Sequence, residues 1–226
     1  MTELEPVVYV VDDDASVRTS LTRLLRSAGL RAEPFGSAAE FLDREAMLGS
    51  ARESACIILD VRMPGLDGLQ LQARLADDDE SLPIVFLTGH GDIPMAVETM
   101  RQGAVDFLTK PVDDERLLKA VRLGLERDRA SRARREQIAG LRKRLETLTA
   151  RELQVLRCVI AGALNKQIAA CLGIAEKTVK IHRARVMEKM RATSVAELVH
   201  LSGLAGVSPI ATAKRACPPP AAARRE

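Results

Sequence analysis

Short apolar runs alternate with segments of helical periodicity in the first half of the chain. Residues 7–11 (VVYVV) are continuously apolar, whereas residues 16–28 carry apolar side chains at positions 17, 21, 24, 25 and 28. The first pattern is typical of a buried strand and the second of an amphipathic helix. The same reading predicts strands at 7–11, 31–35, 55–59, 83–88 and 105–108, and helices at 16–28, 37–47, 66–75, 93–102 and from 113 onward. Five strands alternating with five helices predict an α/β fold whose parallel sheet is covered on both faces.

The segment after these elements is polar and charged. Residues 126–137 (ERDRASRARREQ) contain neither Pro nor Gly, so we expect them to continue the fifth helix in solvent. Four apolar residues then recur at spacings of three, four and three: Ile138, Leu141, Leu145 and Leu148. Such a seam suits packing against a following domain and self-association in a dimer equally well. We therefore predict a first domain at residues 1–125 and a helical linker at residues 126–145.

The last third of the chain has the pattern of a small helical domain. Thr149-Ala-Arg-Glu152 is a capping box that begins a helix, because Thr and Glu at this spacing satisfy the first free backbone N–H groups. A short helix is predicted at 165–172, ended by Gly173, and a longer one at 176–190. Two helices joined by a brief glycine-containing turn indicate a helix-turn-helix within a domain of residues 146–206. The Pro-, Ala- and Arg-rich residues 207–226 are expected to be a disordered tail.

The charge changes sign between the two halves. Residues 1–123 carry 13 Lys and Arg against 22 Asp and Glu, whereas residues 124–226 carry 21 against 9. This asymmetry favours an acidic module joined to one that binds a polyanion. The four Cys are widely spaced, which argues against a zinc site or a disulfide framework. With no apolar run of membrane-spanning length and no signal peptide, we expect a cytoplasmic protein that does not bind membranes.

Several polar residues follow the predicted strands. Asp12 and Asp13 come directly after the first strand, Asp60 after the third, Thr88 ends the fourth, and Lys110 lies just after the fifth. In open α/β sheets the carboxyl ends of the strands converge on one crevice, so these side chains should meet there. Three carboxylates at one edge repel each other unless a cation neutralises them, and Mg²⁺ prefers such oxygen ligands. The set could accept a phosphoryl group, with a carboxylate as nucleophile.

Four motifs in this half resemble the receiver domain of two-component response regulators: VVDDDASVR, LDVRMPGLDG, LTGHGD and FLTKP, within residues 5–125. The resemblance implies the five-stranded, flavodoxin-like sheet of that family, with Asp60 as the residue that accepts the phosphoryl group. It also implies a Mg²⁺ site made by Asp12, Asp13, Asp60 and the backbone carbonyl of Arg62. Thr88 and Lys110 would contact the phosphoryl oxygens, and Phe107 would be the aromatic switch. The Lys110-Pro111 bond would be cis.

The second half is similar to the LuxR/FixJ-type DNA-binding domain in TARELQVL, NKQIA and KTVKIHRARVMEKM, over residues 146–206. The resemblance implies base contacts from Lys180, Ile181 and Ala184. It further implies phosphate contacts from Lys177, Thr178, Asn165, Lys166 and Arg183. Phosphate contacts dominate affinity for DNA and make it fall with salt. Ile174 and Ala175 stand where Ser or Thr usually caps the recognition helix, so we expect that helix to begin without a side-chain cap.

Taken together, these patterns predict a FixJ/NarL-type response regulator rather than an enzyme. A sensor histidine kinase would phosphorylate Asp60, and the switch would control formation of a homodimer and binding to double-stranded promoter DNA. The resemblance favours activation of transcription over repression, and we expect such an activator to contact RNA polymerase as well. One alternative keeps the architecture but binds DNA without phosphorylation, using the receiver as a dimer scaffold. A phosphohydrolase with Asp60 as nucleophile is disfavoured, since Arg62 stands where such enzymes carry a second carboxylate.

Overall fold

The computed structural model describes residues 5–48, 54–76, 82–89 and 93–210, although no side chain is described for residues 46–48 and 76. The chain divides into two units, and the division falls between Ala133 and Arg134. The first unit contains a parallel sheet and the second is helical. Each unit has its own apolar core.

The sheet of the first unit has five strands: β1 (Val7–Val11), β2 (Arg31–Phe35), β3 (Ala55–Asp60), β4 (Ile84–Thr88) and β5 (Asp106–Thr109). All neighbouring pairs are parallel, and the strand order is β2-β1-β3-β4-β5. β1, β3 and β4 are buried along their whole length, which explains their continuous apolar runs. The predicted doubly wound α/β fold is therefore confirmed, with β5 displaced by one residue from its expected position.

Five helices cover or extend from this sheet: α1 (Ala15–Ser27), α2 (Ala38–Leu48), α3 (Gly68–Ala76), α4 (Ile93–Arg101) and α5 (Asp114–Glu146). Side chains on alternate positions of the strands enter two separate apolar clusters, one on each face of the sheet. Asp14 caps the start of α1, because its carboxylate accepts hydrogen bonds from the N–H groups of Ser16 and Val17. The polar segment 126–137 is helical, as predicted, because α5 continues through it to Glu146.

The pairing of the strands determines which residues share one edge of the sheet. Val11 of β1 is opposite Leu59 of β3, and Thr88 of β4 is opposite Thr109 of β5. The residues that follow β1 and β5, together with the last residues of β3 and β4, therefore lie along the same carboxyl edge. The site described below is built on this edge.

The second unit contains four further helices: α6 (Ala150–Ile160), α7 (Asn165–Leu172), α8 (Glu176–Met190) and α9 (Val195–Leu204). The capping box at Thr149 and Glu152 is present, and α7 and α8 have the predicted bounds. Gly173 ends α7 with a positive φ of 65°, a backbone conformation that residues with a Cβ rarely adopt. In the seam after residue 137, Leu145 and Leu148 pack against the core of this unit. Their position favours the core-packing alternative.

The expected disordered tail differs from the structure at its beginning. Val207 and Ile210 pack against the helical core, and the N–H of Ile210 donates to the carbonyl of Arg157 at 3.4 Å. Burial of these two apolar side chains orders residues 207–210. The remainder of the predicted tail, residues 211–226, lies outside the described residues. No described helix combines the length and apolar character that a bilayer crossing requires.

Candidate functional site

The acidic pair after β1 is held by the start of α1. Asp12 is buried and Asp13 is exposed. One oxygen of Asp12, Oδ1, accepts a hydrogen bond from the N–H of Asp14 at 2.9 Å, and its backbone carbonyl accepts one from Arg18 Nη1 at 2.6 Å. The start of α1 thus holds both the side chain and the backbone carbonyl of Asp12 in place. Arg18 lies on α1 with no local signal for this contact, and sequence reasoning missed it.

Asp60 ends β3 and is also buried, with only 8% of its surface exposed. The loop after it folds back closely, since the N–H of Gly68 donates to the carbonyl of Val61 at 2.9 Å. A Cβ on residue 68 would lie 2.3 Å from the backbone oxygen of Asp60, so only glycine fits there. The N–H of Arg62 donates to the Asp60 carboxylate. This tight loop fixes the direction of the aspartate. Gly68 is the last residue of the LDVRMPGLDG motif, but the sequence analysis assigned it no role in the site.

The structure brings the three predicted carboxylates together. One oxygen atom from each of Asp12, Asp13 and Asp60 lies within 4.8 Å of the others. Lys110 reaches into this group, with Nζ 2.6 Å from Asp12 Oδ2 and 3.4 Å from Asp60 Oδ2. The carboxylates are hard oxygen donors around a small space, which suits a divalent cation. The cluster can therefore hold a metal ion.

Electrostatics distinguish Asp60 from an ordinary surface carboxylate. Burial raises the pKa of Asp60, Lys110 opposes this rise, and the charge of Asp12 adds to it. Burial alone would lower the pKa of Lys110, but its hydrogen bond and charge interaction with Asp12, together with Asp60, raise it. Lys110 therefore keeps its positive charge at neutral pH. A single ammonium group serves two buried carboxylates, so added positive charge would stabilise the site.

The remaining predicted residues of the first unit lie on β4 and β5 or just after them. Thr88 is buried at the end of β4, and its carbonyl accepts a hydrogen bond from the N–H of Lys110 at 2.7 Å. This bond ties the lysine backbone to the threonine, and the Lys110-Pro111 peptide is cis, as expected. Phe107 is half-buried on β5, with its ring centre 6.3 Å from that of Phe86.

Residues on α8 form the exposed face predicted to read DNA. Four of the predicted residues are exposed: Lys177, Lys180, Ile181 and Ala184. Thr178 and Arg183 are half-buried. Val179, Val186 and Met190 point into the core and hold the helix on the domain. As expected, α8 begins at Ala175 without a side-chain hydrogen bond to its first turn.

The first helix of the helix-turn-helix is linked to α8 by a polar contact. Asn165 is half-buried and Lys166 is exposed, both at the start of α7. Arg183 Nη1 donates to Asn165 Oδ1 at 2.8 Å, so two residues predicted to reach phosphates are joined to each other. The pair fixes the start of α7 against the middle of α8.

The far end of α8 is fixed by a second set of contacts. Lys189 Nζ donates to Glu152 Oε2 at 2.6 Å and to the carbonyl of Thr147 at 2.9 Å. Arg144 Nη1 donates to the carbonyl of Met190 at 3.3 Å. The hydrogen bond from Lys189, followed by that from the Thr149 N–H, lowers the pKa of Glu152 to about 2. The capping box revealed Glu152 from the sequence, but nothing local revealed its pairing with Lys189.

Comparison with known proteins assigns both units. Residues 8–122 match the response regulator receiver domain family, and residues 146–202 match the luxR family of bacterial regulatory proteins. Nodulation protein W of Bradyrhizobium diazoefficiens is 50% identical over 202 residues, which cover 89% of this chain and 87% of that protein. The transcriptional regulatory protein FixJ of Azorhizobium caulinodans is 46% identical over 202 residues, which cover 89% of this chain and 94% of that protein.

Solved structures give the same result. The response regulator StyR matches with a TM-score of 0.76 and 46% identity, covering 88% of this chain and 99% of that one. Full-length FixJ from B. japonicum matches with a TM-score of 0.51 and 42% identity, covering 88% and 97%. With a receiver fold, a carboxylate cluster at its carboxyl edge and a helix-turn-helix unit, the chain belongs to the two-component response regulators that carry a luxR-family DNA-binding domain and regulate transcription.

Proposed function

We propose that Asp60 accepts a phosphoryl group from a sensor histidine kinase and that this event controls DNA binding by α8. The observation that carries the proposal is the meeting of Asp12, Asp13, Asp60 and Lys110 at the carboxyl edge of the sheet. In the reaction the bond between phosphorus and the kinase nitrogen breaks as an oxygen of Asp60 bonds to phosphorus. The raised pKa of Asp60 indicates a carboxylate whose negative charge is only partly compensated.

Lys110 and Thr88 are proposed to hold the transferred group. The ammonium group of Lys110 lies within 3.4 Å of Asp60, so a small movement brings it to the oxygens of a phosphorylated aspartate. The Lys110–Thr88 backbone bond means that these two residues respond together. Phe107 occupies a half-buried position beside Phe86, from which its ring can move inward as Thr88 shifts.

Mg²⁺ is the cation proposed for the cluster. Its ligands would be Asp12, Asp13, Asp60 and the backbone carbonyl of Arg62. When bound, Mg²⁺ would neutralise negative charge on the carboxylates and on the phosphoryl oxygens. The buried position of Asp12, fixed by the N–H of Asp14 and by Arg18, places one of these carboxylates without further rearrangement.

The proposed output is a homodimer on promoter DNA, with RNA polymerase as the next partner. The proposed dimer would pair through the face built from α4, β5 and α5, and α4 exposes apolar side chains on it at helical spacing. Ile93 is 81% exposed, Val97 43% and Met100 44%. A second copy that covers this face would bury apolar area and bring two α8 helices to successive half-sites.

Phosphorylation is tested by incubating the full chain with Mg²⁺ and acetyl phosphate and measuring intact mass near neutral pH. The wild-type protein should gain one phosphoryl group, and Asp60→Asn should gain none. Asp43→Asn removes an exposed carboxylate on α2 that does not belong to the cluster, and this variant should still be phosphorylated. A phosphoryl group on Asp60→Asn would contradict the assignment of Asp60.

The link to DNA is tested with the same preparations. The phosphorylated wild-type protein should dimerise and bind a selected duplex more tightly than Asp60→Asn. Equal dimerisation and equal binding would instead support the alternative in which the receiver is a constant scaffold.

Base and phosphate contacts on α8 are separated by two lysine variants. Lys180→Ala should weaken binding to a selected duplex more than to a random one, since it removes a proposed base contact. Lys177→Ala should weaken both by a similar factor and reduce the salt dependence. Equal losses in Lys180→Ala would reassign this residue to the phosphates.

A further inference from the structure

Helix α5 contains two glycines, and packing explains only one of them. A Cβ on residue 124 would lie 2.5 Å from Cys56 Sγ, so Gly124 lets the helix approach β3 closely. A Cβ on residue 140 would meet nothing within 4 Å. Gly140 lies inside the helix, and its backbone does not adopt the left-handed conformation that favours glycine. Neither packing nor a turn therefore accounts for a glycine at position 140.

Glycine weakens a helix at the position that it occupies. Relative to alanine it lowers the equilibrium constant for helix formation by about fivefold, because its backbone has more conformations to lose. Residues that act as hinges are often small, since they must absorb changes in φ and ψ. What Gly140 supplies to α5, where alanine would fit without contact, is conformational freedom.

Gly140 lies where an exposed stretch of α5 meets a packed one. On the side of the first unit the last buried residue is Asp128, whose Oδ2 accepts a hydrogen bond from the N–H of Ala55 at 3.0 Å. No residue from 129 to 140 is buried, whereas Leu141 is only 2% exposed. The division between the two units falls within this exposed stretch. Burial of side chains therefore does little to keep the helix straight there.

We propose that Gly140 is a hinge at which α5 bends when the phosphorylated dimer binds DNA. This inference rests on the proposed phosphorylation-controlled dimer and identifies the residue that adapts each DNA-binding unit to the duplex. The pairing of two first units determines where each α5 begins. The double helix separately determines where the two α8 helices must lie, because half-sites follow its turns. The bend at Gly140 allows both requirements to be met at once.

The hinge itself is tested by hydrogen exchange in the full chain without DNA. Gly140→Ala should slow exchange of the α5 amides around residue 140 by about fivefold, since alanine favours the closed helix. The variant should fold normally, because the added methyl group enters open space. Gly203→Ala in α9, where a Cβ also meets nothing within 4 Å, should leave exchange in α5 unchanged. Unchanged exchange around residue 140 in Gly140→Ala would overturn the hinge.

The role in DNA binding is tested with two duplexes. The first is selected from a random pool by the phosphorylated wild-type protein, and the second has one of its half-sites scrambled. Gly140→Ala should take up phosphoryl groups and dimerise as wild type does. Its Kd for the first duplex should rise by about fivefold for each protomer that must bend, whereas its Kd for the second should not change. Gly203→Ala should bind both duplexes as wild type does.

Moving the glycine separates flexibility from the effect of the added methyl group. The double variant Ala139→Gly/Gly140→Ala shifts the glycine by one residue, to an exposed position, and should restore binding to the first duplex. The hinge is overturned if the double variant stays impaired, if Gly140→Ala loses equally on both duplexes, or if it binds the first duplex as wild type does.

Failure of the proposed function would look different from failure of the hinge. If the phosphorylated wild-type protein bound both duplexes equally, the proposed dimer on DNA would be wrong. Hydrogen exchange around residue 140 would still decide whether α5 bends there.

Discussion

Each unit of the protein contains a buried carboxylate paired with a lysine, yet the two pairs are in opposite electrostatic states. In the second unit, Glu152 is matched by Lys189 and by the Thr149 N–H, and its pKa falls to about 2. In the first unit, Lys110 faces both Asp12 and Asp60, and the pKa of Asp60 is raised.

The difference separates a stabilising site from one prepared for chemistry. A one-to-one pair whose carboxylate oxygen also accepts a backbone hydrogen bond favours the folded state and leaves little for a ligand to add. A site with excess negative charge gains most when a cation or a transferable group enters it. The same residue types therefore stabilise one unit and, in the other, form the site proposed for phosphoryl transfer.

The largest effect is expected for Lys189→Met, which tests whether the pair in the second unit stabilises the fold. The substitution leaves Glu152 buried without its cation and should lower the free energy of unfolding of the second unit by about 2–3 kcal/mol, a value reduced by the partial exposure of Lys189. Hydrogen exchange of α6 and α8 amides in the full chain measures the loss. Lys180→Met, at an exposed position on the same helix, should change exchange very little. Equal effects of the two variants would show that the pair is not stabilising.

The pH dependence of the same pair has a definite sign. Glu152 has a pKa lowered in the folded state from 4.5 to about 2, so the unfolded chain binds the proton more readily between these values. The stabilisation is complete above pH 4.5 and is lost as the pH falls through about 2. Hydrogen exchange or chemical unfolding of wild type and Glu152→Gln, compared down to about pH 2, should show the two converging. A constant difference in stability between the two proteins at every pH would contradict the lowered pKa of Glu152.

Gly68→Ala tests whether backbone packing maintains the signalling site. The new Cβ would meet the Asp60 backbone oxygen at 2.3 Å, so the loop must shift, with an expected loss of about 2 kcal/mol and slower phosphoryl uptake. The matched control is Gly140→Ala on α5, where nothing lies within 4 Å. That variant should be stabilised by about 0.5–1 kcal/mol. Thermal unfolding and acetyl phosphate labelling check both, and normal labelling in Gly68→Ala would contradict the role of the close contact.

Lys110→Gln tests whether the carboxylate cluster of the first unit carries excess negative charge. It removes the ammonium group from Asp12 and Asp60 and should destabilise the metal-free protein by about 1–2 kcal/mol. Added Mg²⁺ should then raise Tm more in the variant than in wild type, since more negative charge is left to neutralise. Lys119→Gln, exposed on α5, should respond to Mg²⁺ as wild type does. A smaller Mg²⁺ response in Lys110→Gln would show that the cluster is already balanced.

The smallest expected effect concerns the two helix starts of the second unit. α6 begins with a complete capping box at Thr149, whereas α8 begins at Ala175 with none. Ala175→Ser should supply the missing acceptor and stabilise the unit by about 0.5–1 kcal/mol. Hydrogen exchange in the first turn of α8 should slow, and Thr149→Ala should speed exchange in α6 by a comparable amount. No change in Ala175→Ser would show that α8 is held by its packing alone.

Local chemistry explains what could be predicted from sequence. Apolar runs identified the strands, and parallel pairing alone requires Asp12, Asp60 and Lys110 to meet at one edge. Gly173 and the absence of a cap at Ala175 located the ends of α7 and α8, because turns depend on nearby residues.

Contacts between distant segments could not be predicted in the same way. Lys189 and Glu152 are 37 residues apart, and the capping box that identified Glu152 gave no sign of its pairing with Lys189. Val207 and Ile210 are two apolar residues in a segment rich in Pro and Ala. The composition of the segment predicted disorder, although these two side chains pack against the helical core.

The hydrogen bond between Arg183 and Asn165 has a consequence for the speed and cost of promoter recognition. A free arginine side chain samples many rotamers, and freezing them on a phosphate opposes association. Here one guanidinium N–H is already committed to Asn165 at 2.8 Å, while the group retains other donors. If Arg183 contacts a phosphate as proposed, its side chain would meet DNA preorganised, and α7 and α8 would engage the sugar-phosphate backbone as a single rigid element.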